Sequence, residues 1–283
     1  MPYQGSKKKI SKKIVEIIKQ NFGTDKPIYD IFGGGGAITA ECILNGLEVH
    51  YNDLDKDITY AFERVISQNR EWIKTLIISR EEFFKIKEKE NKTTDDFLKL
   101  LINSFANNKK DYLYSKKISD LKYNLAKEII KKNDVFSGYK QTITYKKVTS
   151  GEDWEWFNIK EEKNKILQQL GRLKQLEQLQ QLERLKATNK SYHYFSEVYG
   201  AIFYLDPPYE NTEQKGYAGQ FNSEEFYDWA FEISKKNIVI ISSYEISDER
   251  FEEVYSFDKA RSTLKGGTSG KNEKLFMVKR VNA

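Results

Sequence analysis

Two short stretches of the chain carry residue types from which chemistry can be built. The first is LDPPYE, Leu205 to Glu210. A hydrophobic run, AIFYL (Ala201 to Leu205), reads as a buried parallel strand that delivers Asp206 to its carboxyl end. Pro207 and Pro208 then hold the backbone extended and remove two N–H donors, which leaves local carbonyls as acceptors. Tyr209 adds a flat, amphipathic face. A carboxylate acceptor, a carbonyl acceptor and a stacking ring together suit the exocyclic amino group of a planar base. A simple turn is the competing reading. It accounts poorly for two of the chain's four prolines standing together at the end of an apolar strand.

The second stretch is YDIFGGGG, Tyr29 to Gly36. An acid on a strand followed by glycines lets a ligand come close to the backbone, because missing Cβ atoms free space and dihedral angles. The run does not match the dinucleotide fingerprint G-x-G-x-x-G, and it lacks the lysine of a phosphate-cradling loop. Further on, NDLD places Asp53 at the end of a second strand, where a carboxylate can accept from ribose hydroxyls. Asp53 and Asp55 also read as helix caps, and Asp55 is the better cap of the two.

These groups need a scaffold to hold them. The spacing of Ile10, Ile14, Ile17 and Ile18 predicts a first helix over residues 6–20 with Ser6 as its N-cap. PIYDIF, then glycines, then Ala37 to Asn45 stopped by Gly46, then LEVHYND, reads as strand, turn, helix, strand. From Lys56 to about Lys186 the pattern is mainly helical, with QTITYKKV as the best strand candidate inside it. Leucines recur at every third position from Leu167 to Leu185. Each step of three falls roughly 60° short of a full turn, so they wind around the helix and do not form a coiled-coil seam. This predicts a helix passing between two layers, with low-complexity drift as the alternative. Beyond Ser191, AIFYL and IVIISS (Ile238 to Ser243) are strands, Phe226 to Ile233 is a helix, and Glu253 to Phe257 and Leu275 to Arg280 are late strands. The expected fold is one α/β sheet, formed by both ends of the chain and interrupted by an insertion.

Composition narrows the classes. No stretch approaches the ~20 apolar residues of a membrane span, and the N-terminus does not read as a secretory signal. One cysteine among 283 residues permits no internal disulfide, and with two histidines it argues against a protein-built metal site. A reducing, cytoplasmic setting is therefore expected. The net charge is +5, but eleven lysines against four acids between Asn107 and Lys147 give that stretch +7. Five tyrosines share it, among them Tyr112, Tyr114 and Tyr139. Lysines neutralise phosphates and aromatic faces stack on bases, so the segment reads as a nucleic-acid surface, with a solvated lysine-rich face as the alternative.

PYQGSK near the start, DIFGGGGAIT with YNDLD behind it, SFANN at Ser104 to Asn108 and YLDPPYENT stand in order, followed by SSYEISDERFEEVYSF and EKLFMV. In these motifs the chain resembles the Dam-type (D12 class, alpha group) adenine-specific DNA methyltransferases over nearly its full length. The resemblance implies a Rossmann-like S-adenosylmethionine-dependent methyltransferase sheet, residues 1–56 and 187–283, with a mainly helical target-recognition insertion, residues 57–186. It implies that Tyr3, Gly5 and Lys7 line the methionine end of S-adenosylmethionine. Asp30, Phe32, Gly33, Gly34 and Gly35 would cup the same cofactor, and Asp53 with Leu54 would hold its ribose. Ser191 and Tyr192 would meet its adenine. Asp206 and the Pro207 carbonyl, with Pro208 beside them, would accept from the target amino group, and Tyr209 would stack on a flipped adenine. Two positions depart from the family pattern: Ser191 stands where an acid is common, and Gly33 where a varied residue precedes the glycines.

The implied reaction needs no metal and no catalytic cysteine. An aromatic amine is a poor nucleophile, and acceptors on both of its protons favour a pyramidal nitrogen. Double-stranded DNA is the implied partner, with phosphate contacts expected at Lys109, Lys110, Lys116, Lys117 and Lys122 and base reading near Lys140, Lys146 and Lys147. Trp154 and Trp156 are read as core or as DNA wedges. A cognate restriction endonuclease acting separately is compatible with this. Three rival readings stay open on sequence alone. A methyltransferase of RNA or of cytosine N4 uses the same electronics; a dehydrogenase leaves DPPY without a role; a non-catalytic DNA-binding protein explains only the basic segment.

Overall fold

The structure is a computed structural model and describes residues 1–2, 6–132, 168–180, 185–210, 221–257 and 272–279. Tyr3, Gly5, Lys140, Lys146, Lys147, Trp154, Trp156 and the strand expected at QTITYKKV lie outside the described residues. Two compact units are present, Met1–Gly5 with Tyr60–Glu183 and Ser6–Thr59 with Arg184–Ala283.

The second of these is the sheet unit. Its first part holds α1 (Ser11–Phe22), β1 (Ile28–Asp30), α2 (Ala37–Leu44), β2 (Val49–Asn52) and the start of α3 (Lys56–Ile66). The other unit is helical: α4 (Arg70–Lys74), α5 (Arg80–Lys87), α6 (Thr94–Asn103), α7 (Ser119–Lys132) and α8 (Gln168–Gln180). The chain returns to the sheet unit with β3 (Ala187–Thr188), β4 (Ile202–Leu205), α9 (Ser223–Ser234), β5 (Ile238–Ser243), β6 (Phe251–Ser256) and β7 (Lys274–Val278). No described helix is long and apolar enough to cross a membrane.

The seven strands run in the order β3-β2-β1-β4-β5-β7-β6. The first five are parallel, and β7 is antiparallel to both β5 and β6. A parallel sheet is covered on both faces, which explains the unbroken apolar runs of β4 and β5. Alternate residues serve opposite cores. Ile202, Tyr204 and Ile240 join Ile14, Val15 and Ile18 of α1 and Ile38 and Cys42 of α2. Phe203, Leu205, Val239 and Ile241 join Phe226, Trp229, Ala230 and Ile233 of α9. Pairing registers Tyr29 against both His50 and Phe203, and the three rings stack at 4.5 and 5.1 Å between centroids.

Two expectations need correction. Ser6 does not cap the first helix. Its Oγ accepts from Lys8 N at 3.4 Å and caps a short 3-10 turn, Lys7–Lys9, and α1 begins only at Ser11. The strand β3 was not foreseen, because two residues in ATNKS carry no period-two signal and are recruited by pairing with Tyr51 and Asn52.

In the helical unit, Leu170, Leu173, Leu176 and Leu179 of α8 are all buried, and α8 packs against α4 and α6. Three steps of three residues sweep about half the circumference of a helix, so this part of the leucine pattern covers one broad face. Truncating a side chain that a sheet core packs around leaves a cavity as well as lost burial. Phe203→Ala is expected to destabilise the protein by about 3–5 kcal/mol, read as a lower urea midpoint with an unchanged slope in circular-dichroism unfolding.

Candidate active site

Strand order sets the location of the site. From β1 the chain moves outward to β2 and β3, whereas β4 leads to β5 on the other side, and β1 and β4 are hydrogen-bonded neighbours. Ligands of open α/β sheets bind outside the carboxyl ends of the strands at such a reversal. The glycines follow β1 and DPPY follows β4, so pairing of Asp30 with Tyr204 starts both segments side by side.

The glycine turn is fixed by the end of β2. Gly33 N donates to Asn52 O at 2.8 Å, Gly34 N to Asp53 Oδ2 at 2.8 Å, and Tyr51 Oη to Gly34 O at 2.8 Å. Gly34 and Gly36 take φ of 49° and 71°, where glycine is strain-free. Gly33 is required for space instead, since a Cβ there would lie 2.3 Å from Tyr51 Cε2. This is the physical reason for a glycine at the position where the family pattern varies. Asn52, which sequence reading passed over, ties three segments together. Its Nδ2 donates to Ile31 O and Lys190 O, both at 3.0 Å, and its Oδ1 accepts from Lys190 N and Thr188 Oγ1, both at 2.9 Å.

At the other side of the site Lys7 reaches Asp206. Its Nζ lies 2.8 Å from Asp206 Oδ1 and 3.3 Å from Glu273 Oε1, and 4.9 Å from the centre of the Tyr209 ring. The Tyr209 hydroxyl donates to Asp206 Oδ1 at 3.0 Å and also contacts Glu273 Oε1, and Ser242 Oγ donates to Glu273 Oε1 at 2.7 Å. Pro207 and Pro208 are buried, and Tyr244 packs edge-on against Tyr209 with centroids 4.7 Å apart. A further wall is aromatic: Phe32 lies 6.2 Å from Tyr192 and 6.1 Å from Phe221, all three half-buried.

Residues 3–263 match the family described as D12 class N6 adenine-specific DNA methyltransferase. The chain belongs to this family. It is an enzyme that methylates adenine N6 in DNA, a reaction that requires a methyl donor. No curated protein matches the chain. Two solved structures of rRNA methyltransferase aviRa from Streptomyces viridochromogenes are similar, each with a TM-score of 0.39, at 9% and 10% identity over 96% of this chain and 84% of theirs.

In this DNA adenine methyltransferase the expected site residues fall into distinct environments. Asp53 is 9% exposed, with Oδ2 on Gly34 N and Oδ1 on Asp55 N at 2.8 Å. A carboxylate offers about four lone-pair positions, and these two backbone donors use two of them. Burial, opposed by these backbone donors, raises its pKa to about 6. Asp55 is the helix cap expected, accepting from Asp57 N and Ile58 N at 2.9 and 3.3 Å. Leu54 is half-exposed, and its carbonyl accepts from Asn189 Nδ2 at 2.8 Å. Asp30 is 1% exposed, and its Oδ2 accepts from Thr39 N at 3.2 Å and Thr39 Oγ1 at 2.6 Å. It therefore anchors the first turn of α2 behind the glycines; burial raises its pKa to about 7. Ser191 caps the 3-10 turn Tyr192–Phe195, accepting from His193 N at 3.4 Å, while Tyr192 packs on Phe226 and Trp229.

Among the expected DNA contacts, Lys110, Lys116 and Lys117 are exposed and Lys109 is half-buried, its ammonium 4.4 Å from the Phe97 ring centre. Lys122 is corrected: at 1% exposure with its ammonium over the Tyr114 ring at 5.0 Å, it belongs to the interior of the helical unit and cannot meet a phosphate. The SFANN stretch closes α6. Asn103 is buried and donates to Leu76 O and Lys99 O, and Arg172 donates to Ile102 O and Ser104 O, leaving Phe105 exposed.

Glu273 and Ser242 are the functional candidates that sequence reading missed. Parallel strands bring their carboxyl ends to this edge, but antiparallel β7 brings its start, pairing Lys274 with Ser243 and Leu275 with Ser242. Glu273 precedes β7 and so arrives beside Asp206. Only the strand direction reveals this, and EKLFMV alone does not state it.

Two outcomes are expected. Gly33→Ala displaces the Tyr51 ring and is expected to cost about 1–3 kcal/mol by overpacking, seen as a lower thermal midpoint, together with at least tenfold weaker donor binding by titration calorimetry. Burial raises the pKa of Asp206 and Glu273 adds to the shift, against the opposing pull of Lys7. With the ionised Asp206 carboxylate as the acceptor, activity is expected above that raised pKa and is expected to be lost as pH falls through it. Single-turnover methyl transfer should decline on acidification with an inflection above the ordinary aspartate value of about 3.9, by roughly tenfold per pH unit below it.

Proposed function

We propose that the methyl donor is S-adenosylmethionine, held along the glycine turn, and that the substrate adenine is flipped out of double-stranded DNA against Asp206 and Tyr209. The observation that carries this reading is the adjacency of β1 and β4, which gives the glycine turn and DPPY a common edge. The groups present suit such a donor. Asp53 retains lone pairs for ribose hydroxyls, Phe32 and Tyr192 offer ring surface for a purine, and carboxylates outnumber the single lysine of the Lys7 network where a positively charged group would lie. When bound, the donor supplies a methyl group activated by its attachment to a cationic sulfur.

The chain's residues address the other half of the problem. The adenine N6 lone pair is delocalised into the ring and is weakly nucleophilic. Asp206 would accept a hydrogen bond from one amino proton and the Pro207 carbonyl from the other, which draws the nitrogen toward a pyramidal shape before attack. As positive charge grows on that nitrogen, the fixed carboxylate stabilises it without reorganising, the effect that dominates in preorganised sites. Asp206 would then take the proton that the methylated nitrogen sheds. Lys7 keeps Asp206 ionised despite burial, since its ammonium is raised in pKa by Asp206 and Glu273 against the opposing effect of its own burial. Tyr209 would stack on the extruded base, a position that no base can reach from within a duplex.

In this reading residues 57–186 grip DNA, with Lys109, Lys110, Lys116 and Lys117 on phosphates. A cognate restriction endonuclease, where one accompanies the enzyme, would act as a separate protein. The test is transfer of a labelled methyl group from S-adenosylmethionine to adenine-containing duplex. Label should appear on adenine N6, and Asp206→Ala should lower the single-turnover rate on the order of 10²–10³-fold, the scale for loss of one preorganised charge-stabilising group. DNA binding with no transfer by the unmutated protein, or undiminished transfer by Asp206→Ala, would overturn the reading.

A further inference from the structure

The Lys7 network holds one carboxylate more than the target amine requires. Asp206 already supplies the acceptor beside the Pro207 carbonyl, yet Glu273 lies against the same ammonium at 3.3 Å and against the Tyr209 hydroxyl, with Ser242 Oγ fixing it at 2.7 Å. Its side chain is 11% exposed and that of Asp206 18% exposed. Burying a second carboxylate beside the first is costly unless it is paired and hydrogen-bonded, as Glu273 is by Lys7 and Ser242. Asp206 alone already pairs with Lys7, at 2.8 Å. What Glu273 changes is the sum of charges. Lys7, Asp206 and Glu273 together carry −1, and without Glu273 they carry zero. The neighbouring cation on the same strand, Lys274, is already paired with Glu253 Oε2 at 2.7 Å.

We propose that Glu273 is a positioning and charge-setting residue that makes the site prefer the cationic methyl donor over its neutral product. This rests on the reading that the donor is S-adenosylmethionine. Before transfer the donor's sulfur is positively charged. Afterwards the carbon–sulfur bond to the methyl group is broken, its electron pair stays on sulfur as a neutral thioether, and the methyl group is on N6, which releases a proton. The surplus of one negative charge among these three groups favours the first state and loses that attraction once the methyl group has left. Product release is thereby aided by the same residue that favours donor capture. Glu273 acts through the field it adds and through Lys7 and Tyr209, which it holds from behind.

The test compares affinities. Titration calorimetry would measure binding of S-adenosylmethionine, of the neutral product S-adenosylhomocysteine, and of sinefungin, whose amine carries a positive charge in place of the sulfonium. Glu273→Gln keeps the size and hydrogen-bonding reach of the side chain and removes only the charge. It should weaken both cationic ligands on the order of tenfold, the scale set by one unit charge about 10 Å away at an effective dielectric near 20, and change the neutral ligand by less than about twofold. Glu273→Asp, which restores the charge, should restore the preference for cationic ligands whatever happens to overall affinity. Equal weakening of all three ligands by Glu273→Gln would mark a purely structural role and overturn the proposal, as would an unchanged preference, or loss of preference in Glu273→Asp. Should the unmutated protein bind none of the three, the donor assignment itself falls; should it bind and transfer while the preference ignores Glu273, only this inference falls.

Discussion

One buried lysine between two carboxylates is the constraint on which the site depends. Lys7 comes from a 3-10 turn near the start of the chain, Asp206 from the end of β4 and Glu273 from the start of β7. Three segments far apart in sequence are joined at one ammonium. Each charge is expensive to bury alone and tolerable only with the others, since removing a partner leaves an uncompensated charge in a low-dielectric place. Tyr209 is drawn into the same group by its hydroxyl, so the ring expected to stack on a base is oriented by the charges beside it.

The glycine side of the site is built on a different principle. There side chains hold the backbone. Asp53 accepts from Gly34 N, Tyr51 donates to Gly34 O, Asn52 receives Gly33 N on its carbonyl, and Asp30 secures α2 through Thr39. Tyr51 occupies the volume that any Cβ at Gly33 would need. The glycines and the end of β2 therefore form a single unit of packing, and the motif cannot be judged from the glycines alone.

How much of this was legible in the sequence follows from the range of each interaction. Apolar runs, glycine stops and proline pairs act locally, so β1, β4, β5, α2 and α9, and the placing of Asp53 and Asp206 just beyond strand ends, could be read from composition and order. Asp55 could be recognised as a cap because its partners are two and three residues away. Burial could not be read in the same way. Lys122 resembles its solvent-facing neighbours Lys116 and Lys117 in type and spacing, and only the packing of the helical unit turns it onto the Tyr114 ring. Asp30 and Asp53 both end strands, yet one faces Thr39 in the interior and the other the glycine turn. Glu273 was hidden by topology, because antiparallel insertion of β7 between β5 and β6 is decided by long-range pairing.

The carboxylates that make the site also burden the protein that carries it. An unfolded aspartate loses its proton near pH 3.9, but Asp53 retains it to about 6 and Asp30 to about 7. Between those values the folded state binds more protons than the unfolded state, so these two groups favour the fold most fully below pH ~4. Their contribution is lost as pH rises through 6 and 7. At neutral pH the fold therefore carries these buried carboxylates without the stabilisation that their protonation gives it in acid.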